Sequence, residues 1–231
     1  MFLLLLTSCR LFSDYVFDDE LDTAAQAGLE SFGGTISIFG SDLPLEGVAV
    51  CLFSEPTDPC VTTDEAGRFT MPRPNDGPII VSMEHPLYQP SLYFLEMGPD
   101  TPDLQYQMLG LALRDLVVGS LEPEPDLDLG LLVLSGAGLE GATGLLIPGD
   151  GEGPIYPDAL GNPEGNTSVV ANLALWYSVP DGAYEMGLTH PSRTCTAGGD
   201  AWSGTGEGTA AIEAHGGWMS TAGGYFCNEG S

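Results

Sequence analysis

The sequence predicts an all-β protein built as two consecutive small antiparallel Greek-key β-sandwiches. Three observations predict it. Glycine (32 residues) and proline (18) are abundant in a chain of 231, which suits many turns between short strands. Apolar and polar residues alternate over runs of about five, with Gly, Pro or Asp between runs roughly every ten residues; this favours a sandwich over a parallel α/β sheet. The second half also echoes the first at a fixed offset. Hydrophobic residues make up 43% of the chain, enough to fill the core of one large β domain or two small ones.

The strands follow in order. Residues 9–32 are acidic and loosely patterned (Asp14, Asp18, Asp19, Glu20, Asp22, Glu30) and read as a tether, with room for a short helix around Glu20–Ala27. From Gly34 the period becomes two. Thr35–Phe39 and Val48–Phe53 are strands joined through Pro44-Leu45-Glu46-Gly47. Val61–Thr63 and Arg68–Met71 flank Asp64-Glu65-Ala66-Gly67, a turn whose glycine is free to adopt positive φ. Ile79–Met83 and Leu92–Glu96 continue the series. The Pro-acidic run Glu122–Asp128 reads as a linker within residues 114–129. The second series is Gly130–Leu134, Gly141–Ile147, a long loop over Pro148–Gly165, Ser168–Ser178, Ala183–Leu188, Thr209–Ala214 and Gly224–Cys227.

Asp76-Gly77 and His85-Pro86 recur without gaps as Asp181-Gly182 and His190-Pro191, 105 residues later. Leu139-Glu140-Gly141-Ala142-Thr143 echoes Leu45-Glu46-Gly47-Val48-Ala49. The units are therefore expected at 33–113 and 130–231, the second a divergent copy of the first.

Gly34–Phe39, Pro44–Val50 and Thr62–Phe69 together resemble the carboxypeptidase regulatory-like (transthyretin-like) domain, whose pattern is a first strand, a "PL-x-G-V-x-V" turn and strand, then "T-D-x-x-G-x-F". The resemblance covers roughly residues 33–98. It implies a seven-stranded, transthyretin/prealbumin-like sandwich with an accessory role in structure, adhesion or binding, and it brings no catalytic residues.

The chain opens with the apolar run Phe2–Leu6, far short of the roughly 20 residues that span a bilayer but similar to the end of a signal peptide. Leu6-Thr7-Ser8-Cys9 resembles the bacterial lipobox, in which small residues admit the peptidase and the cysteine thiol takes the lipid. Residues 1–8 are then a signal-peptide remnant. No basic residue precedes the apolar run, so the true start is expected upstream. Arg10, rather than Asp, follows Cys9; by the sorting pattern of enteric bacteria this directs a lipoprotein to the outer membrane, facing the periplasm or the surface.

Five cysteines are present. With Cys9 lipidated, four remain, an even number that suggests disulfides in an exported chain. Three pairings exist; Cys51–Cys60 and Cys195–Cys227 are expected, one staple per half, each contributing about 2–4 kcal/mol.

Charge limits the partners. The chain has 33 acidic residues against 5 basic, all arginine, for a net charge of −28. Such a surface repels phosphate backbones, so nucleic acid is excluded. The expected partners are the membrane, through the N-terminal lipid, and envelope proteins or glycans. No Gly-x-Ser-x-Gly elbow, phosphate loop or tight Cys/His spacing occurs. No enzyme is therefore expected, and no catalytic or metal residues are assigned. His85 and His190 read as a repeated structural corner. Calcium is the cofactor that the acidic loops Asp14–Asp22, Glu122–Asp128 and Asp150–Glu164 would suit, although none has EF-hand spacing. Aromatics cluster in the second half. Trp202 and Trp218, in Gly-rich loops, are the candidate exposed rings for stacking on a glycan.

Overall fold

The computed structural model describes residues 31–41, 43–53, 60–119, 121, 124–157, 168–170, 172–198, 201–222 and 224–229. Cys9, the signal-peptide remnant, most of the tether and its helix lie outside the described residues.

The first half carries seven strands: β1 (Ser31–Ile38), β2 (Ala49–Leu52), β3 (Val61–Thr62), β4 (Arg68–Pro72), β5 (Gly77–Glu84), β6 (Ser91–Met97) and β7 (Leu104–Met108), followed by the helix α1 (Leu111–Val118). The second half carries β8 (Gly130–Ala137), β9 (Thr143–Ile147), β10 (Glu152–Ile155), β11 (Leu173–Val179), β12 (Gly182–Thr189), β13 (Arg193–Ala197), β14 (Ala210–Ala214), β15 (Met219–Ala222) and β16 (Tyr225–Glu229). The all-β expectation holds. The strand period of two is visible in burial: Phe69 and Met71 of β4 point inward while Arg68 and Thr70 point out.

Some elements differ from the sequence reading. β1 begins two residues before the expected start of the first unit. The expected linker opens inside α1, because Leu111–Val118 contains no helix breaker. The loop expected over Pro148–Gly165 contains β10, an edge strand antiparallel to β11. The reading also missed β7, β13 and β15.

Each half closes in the same way. In the first, β1 is flanked by β4 antiparallel and β7 parallel. In the second, β8 is flanked by β11 antiparallel and by β15 and β16 parallel. The sequence repeat corresponds to a structural one. Ala49 of β2 faces Glu84 of β5, and the matching residues Thr143 of β9 and Thr189 of β12 face each other. Gly47 N–H donates to Thr63 O (3.1 Å), as Gly141 N–H does to Val169 O (2.9 Å). Both glycines adopt positive φ, +82° and +85°, in the Leu-Glu-Gly turn that the two copies share.

The halves merge into one continuous sheet. β15 pairs in parallel with β6 of the first half and β8 of the second. The path then runs β10-β11-β8-β15-β6-β5-β2-β3. The sheet β4-β1-β7 covers one face of it and β14-β12-β9 belongs to the core on the other. Alternation divides each strand between two cores. Leu95 and Met97 of β6 join Val133, Leu175 and Met219 in the first core; Leu92 and Phe94 join Leu132, Leu134 and Trp176 in the second. Both faces of β6 and β8 are thus apolar, as a sheet covered on both sides requires.

Because neither core closes without strands of the other half, the chain is expected to unfold in one transition. Tryptophan fluorescence and far-UV circular dichroism recorded along one urea titration should give coincident midpoints; two separated transitions would show that the halves fold independently.

Candidate functional site

Trp202 and Trp218, singled out by sequence, each pack against residues of the first half. Trp202 is half-buried against the second core. Its Nε1–H donates to Leu95 O of β6 at 2.9 Å, and its ring meets Phe94 edge-on with centroids 5.0 Å apart. Trp218 is also half-buried; it packs on Phe53 (5.5 Å), whose ring also meets His215 (5.0 Å). Each indole meets a ring or a carbonyl contributed by the first half and keeps part of its surface exposed.

Polar contacts reinforce the junction. Gln89, only 5% exposed, donates to Gly217 O (2.8 Å) and accepts from Arg114 NH1 (2.7 Å). Tyr106 Oη of β7 lies 3.4 Å from Thr221 Oγ1 of β15, and burial pushes this phenol's pKa up. On β15, Ser220 Oγ is buried without a hydrogen-bond partner among the described residues.

The disulfides are Cys51–Cys60 and Cys195–Cys227. The second joins residues that already face each other in register between β13 and β16. The histidine corners are structural. His85 Nδ1 accepts from Leu87 N–H (3.2 Å) and His190 Nδ1 from Ser192 N–H (3.1 Å). They sit in different halves, each ring against the positive-φ glycine of its own Leu-Glu-Gly turn.

Sequence reasoning missed Glu185, on the outer face of β12. Its carboxylate accepts from Thr205 N–H (2.9 Å) and Thr205 Oγ1, and from Thr209 Oγ1 (2.9 Å) and Gly206 N–H (3.2 Å). The Thr205 side-chain and backbone bonds, with those of Thr209 and Gly206, lower its pKa from an ordinary 4.5 to about 2. The arrangement pins the Gly-rich loop 203–209 over β12. Only the run Thr205-Gly206-Glu207-Gly208-Thr209 hinted at it. Tyr225 ties the same sheet inward: its O–H donates to Met186 O (2.6 Å) and its Oη accepts from Ala210 N–H (3.0 Å), with burial raising its pKa.

No family model and no curated protein matches the chain. Among solved structures it is similar to the TIE protein of Bacillus anthracis, at 15% identity and a TM-score of 0.30, over 84% of this chain and 33% of that one. It is also similar to a minor pilin of Streptococcus agalactiae (12% identity, TM-score 0.24, 83% and 93%) and to a shaft pilin of Lactobacillus rhamnosus GG (11%, 0.26, 85% and 98%). The chain spans about a third of the length of the Bacillus protein, and all three TM-scores are low.

Among the described residues, no three His, Cys, Asp or Glu side chains gather as a cation site. Of the acidic loops, Asp14–Asp22 and residues 122, 123 and 158–164 lie outside the described residues. No helix among the described residues is long and apolar enough to cross a membrane.

Two outcomes are expected. Trp202→Ala lowers stability by about 3 kcal/mol in urea denaturation, since the indole bonds Leu95 O and packs on Phe94. For Glu185, the folded pKa is the lower one, so its stabilisation is complete above about 4.5 and fades as pH falls towards about 2. The stability gap between wild type and Glu185→Gln should therefore be widest at neutral pH and close through that window.

Proposed function

We propose that the chain is an exported, non-catalytic protein held at the bacterial outer membrane by a lipid on Cys9. In this reading residues 1–8 belong to the signal peptide, 9–32 form the tether, and β-sandwich units at 33–113 and 130–231 serve a structural or binding role in the envelope. The observation that carries the reading is the pairing of cysteines. Two disulfides take four of the five, which leaves Cys9, the residue that follows Leu6-Thr7-Ser8, and disulfides of this kind suit an oxidising compartment. The seven strands of the first half, with the Leu45-Glu46-Gly47 turn leading into β2, support the carboxypeptidase regulatory-like resemblance. The strongly shifted groups support a non-catalytic role, because Glu185 and Tyr225 hold a loop and a sheet rather than a cleft. Glycan stacking on Trp202 and Trp218 is the weaker alternative, since both rings are engaged by the first half. A weak calcium-dependent adhesion module is weaker still, with no three-ligand group among the described residues.

Labelled palmitate fed to cells expressing the wild type and Cys9→Ala tests the anchor. Label is expected in the wild type and absent from the variant; an unlabelled wild type rejects it.

A further inference from the structure

The repeat exposes a difference between its copies. The outward face of β8 and β11 carries Leu131, Val133, Leu173 and Leu175, and it is packed into the first core. The corresponding outward face of β4-β1-β7 carries Ser31, Gly33, Thr35, Arg68, Thr70 and Gln105, and nothing among the described residues covers it. A groove of about 240 Å³ runs across it, lined by Ser31, Thr35, Arg68, Thr70 and Asp103 with Gly33 in its floor. A Cβ on Gly33 would meet Phe69 O at 2.9 Å and lie 3.6 Å from Thr70 Oγ1 and 3.9 Å from Asp103 Oδ1, so the close approach of β4 requires a glycine there, and its bare backbone leaves space between Thr70 and Asp103. Arg68 faces Thr35 across the β1–β4 ladder, and Thr35 Oγ1 accepts from Gln105 Nε2 at 3.2 Å.

Arg68 stands apart from the other arginines among the described residues. Arg73 is bonded to Asp76 and to Gly98 O, Arg114 to Asp115 and Gln89, and Arg193 to Gly138 O. Only the backbone of Arg68 is bonded; its guanidinium has no partner among the described residues, in a chain with 33 carboxylates. A bidentate fork left open beside two threonines is suited to a carboxylate. At the same time the net charge of −28 repels a ligand that is anionic overall, and the exposed carboxylate of Asp103 at the far wall is placed to take a cationic group. A ligand with both ends meets both demands. The volume is below the range of about 300–1,000 Å³ typical of drug-sized sites, so the ligand is small.

We propose that this groove binds a small zwitterion of amino-acid to dipeptide size, its carboxylate on Arg68 and its ammonium on Asp103. The proposal is independent of the lipid anchor, and the unlipidated full chain carrying Cys9→Ala serves to test it. Calorimetric titration uses alanyl-alanine, its N-acetyl form and its C-terminal amide as probes. Alanyl-alanine is expected to bind saturably, and each blocked form about tenfold or more weaker, the loss of one charge-assisted contact. Arg68→Gln should erase the preference over the amide, and Asp103→Asn the preference over the N-acetyl form. Both substitutions are at exposed positions, and matching melting curves establish that the variants fold. Thr70→Trp, which fills the trough from its wall, should abolish binding. Absence of saturable alanyl-alanine binding, or binding unchanged in Arg68→Gln and Asp103→Asn, overturns the proposal.

Discussion

The structure depends on the hydrogen bonding of β15. Four residues, Met219–Ala222, lie in parallel between β6 and β8 and convert two sheets into one. Everything distinctive about the molecule follows from that insertion. Once β6 and β8 are interior strands, both of their faces are largely covered. Leu92, Phe94, Leu132 and Leu134 face one core, and Leu95, Met97 and Val133 the other. The strand itself is small and half polar, with Ser220 and Thr221 buried. Its backbone does the joining, and the side chains of neighbouring strands supply the apolar burial. Tyr106 and Thr221 add one polar contact between the halves at this point.

The junction also explains the fate of the aromatic residues. A tryptophan in a Gly-rich loop has two uses: it offers a flat ring to solvent, or its loop folds back and the ring anchors it. Trp202 is of the second kind because its Nε1–H finds Leu95 O on a strand 107 residues away in sequence. Buried indole N–H groups usually have such a partner, yet nothing within the loop identifies it. Glu185 follows the same logic on the opposite side of the second core, where one carboxylate satisfies four donors of a loop with little apolar surface to hold it. The two copies differ where the packing differs: the outer face of β8–β11 is apolar and covered, and the outer face of β1–β4 is polar and not covered by any of the described residues.

Much of this was legible from residues alone. Most strands of both halves were found by alternation, and both disulfides by the nearness of their cysteines in sequence. The Asp-Gly…His-Pro repeat named the strands that turned out to be β5 and β12, and the Leu-Glu-Gly echo named the turns against which His85 and His190 pack. β7 was missed although Leu104-Gln105-Tyr106-Gln107-Met108 alternates cleanly. β13 and β15 were missed because Arg193–Ala197 and Met219–Ala222 lack an apolar stripe, being strands held by their neighbours rather than by their own pattern. α1 was hidden in a stretch assigned to a linker, and none of its residues is fully buried, so no helical stripe facing a core marked it.

The sequence by itself determined the class of fold, the places of most strands, the cysteine partners and the duplication. These are local properties: side-chain alternation, turn residues and short spacings along the chain. Only the tertiary structure decided that the two sandwiches share a sheet, that Trp202 and Trp218 pack against the first half, and that the Arg68 guanidinium has no partner among the described residues beside an open groove. Backbone N–H and C=O groups are the same in every strand. Which edge a strand joins is therefore settled by long-range packing, and the environment of each side chain follows from that choice.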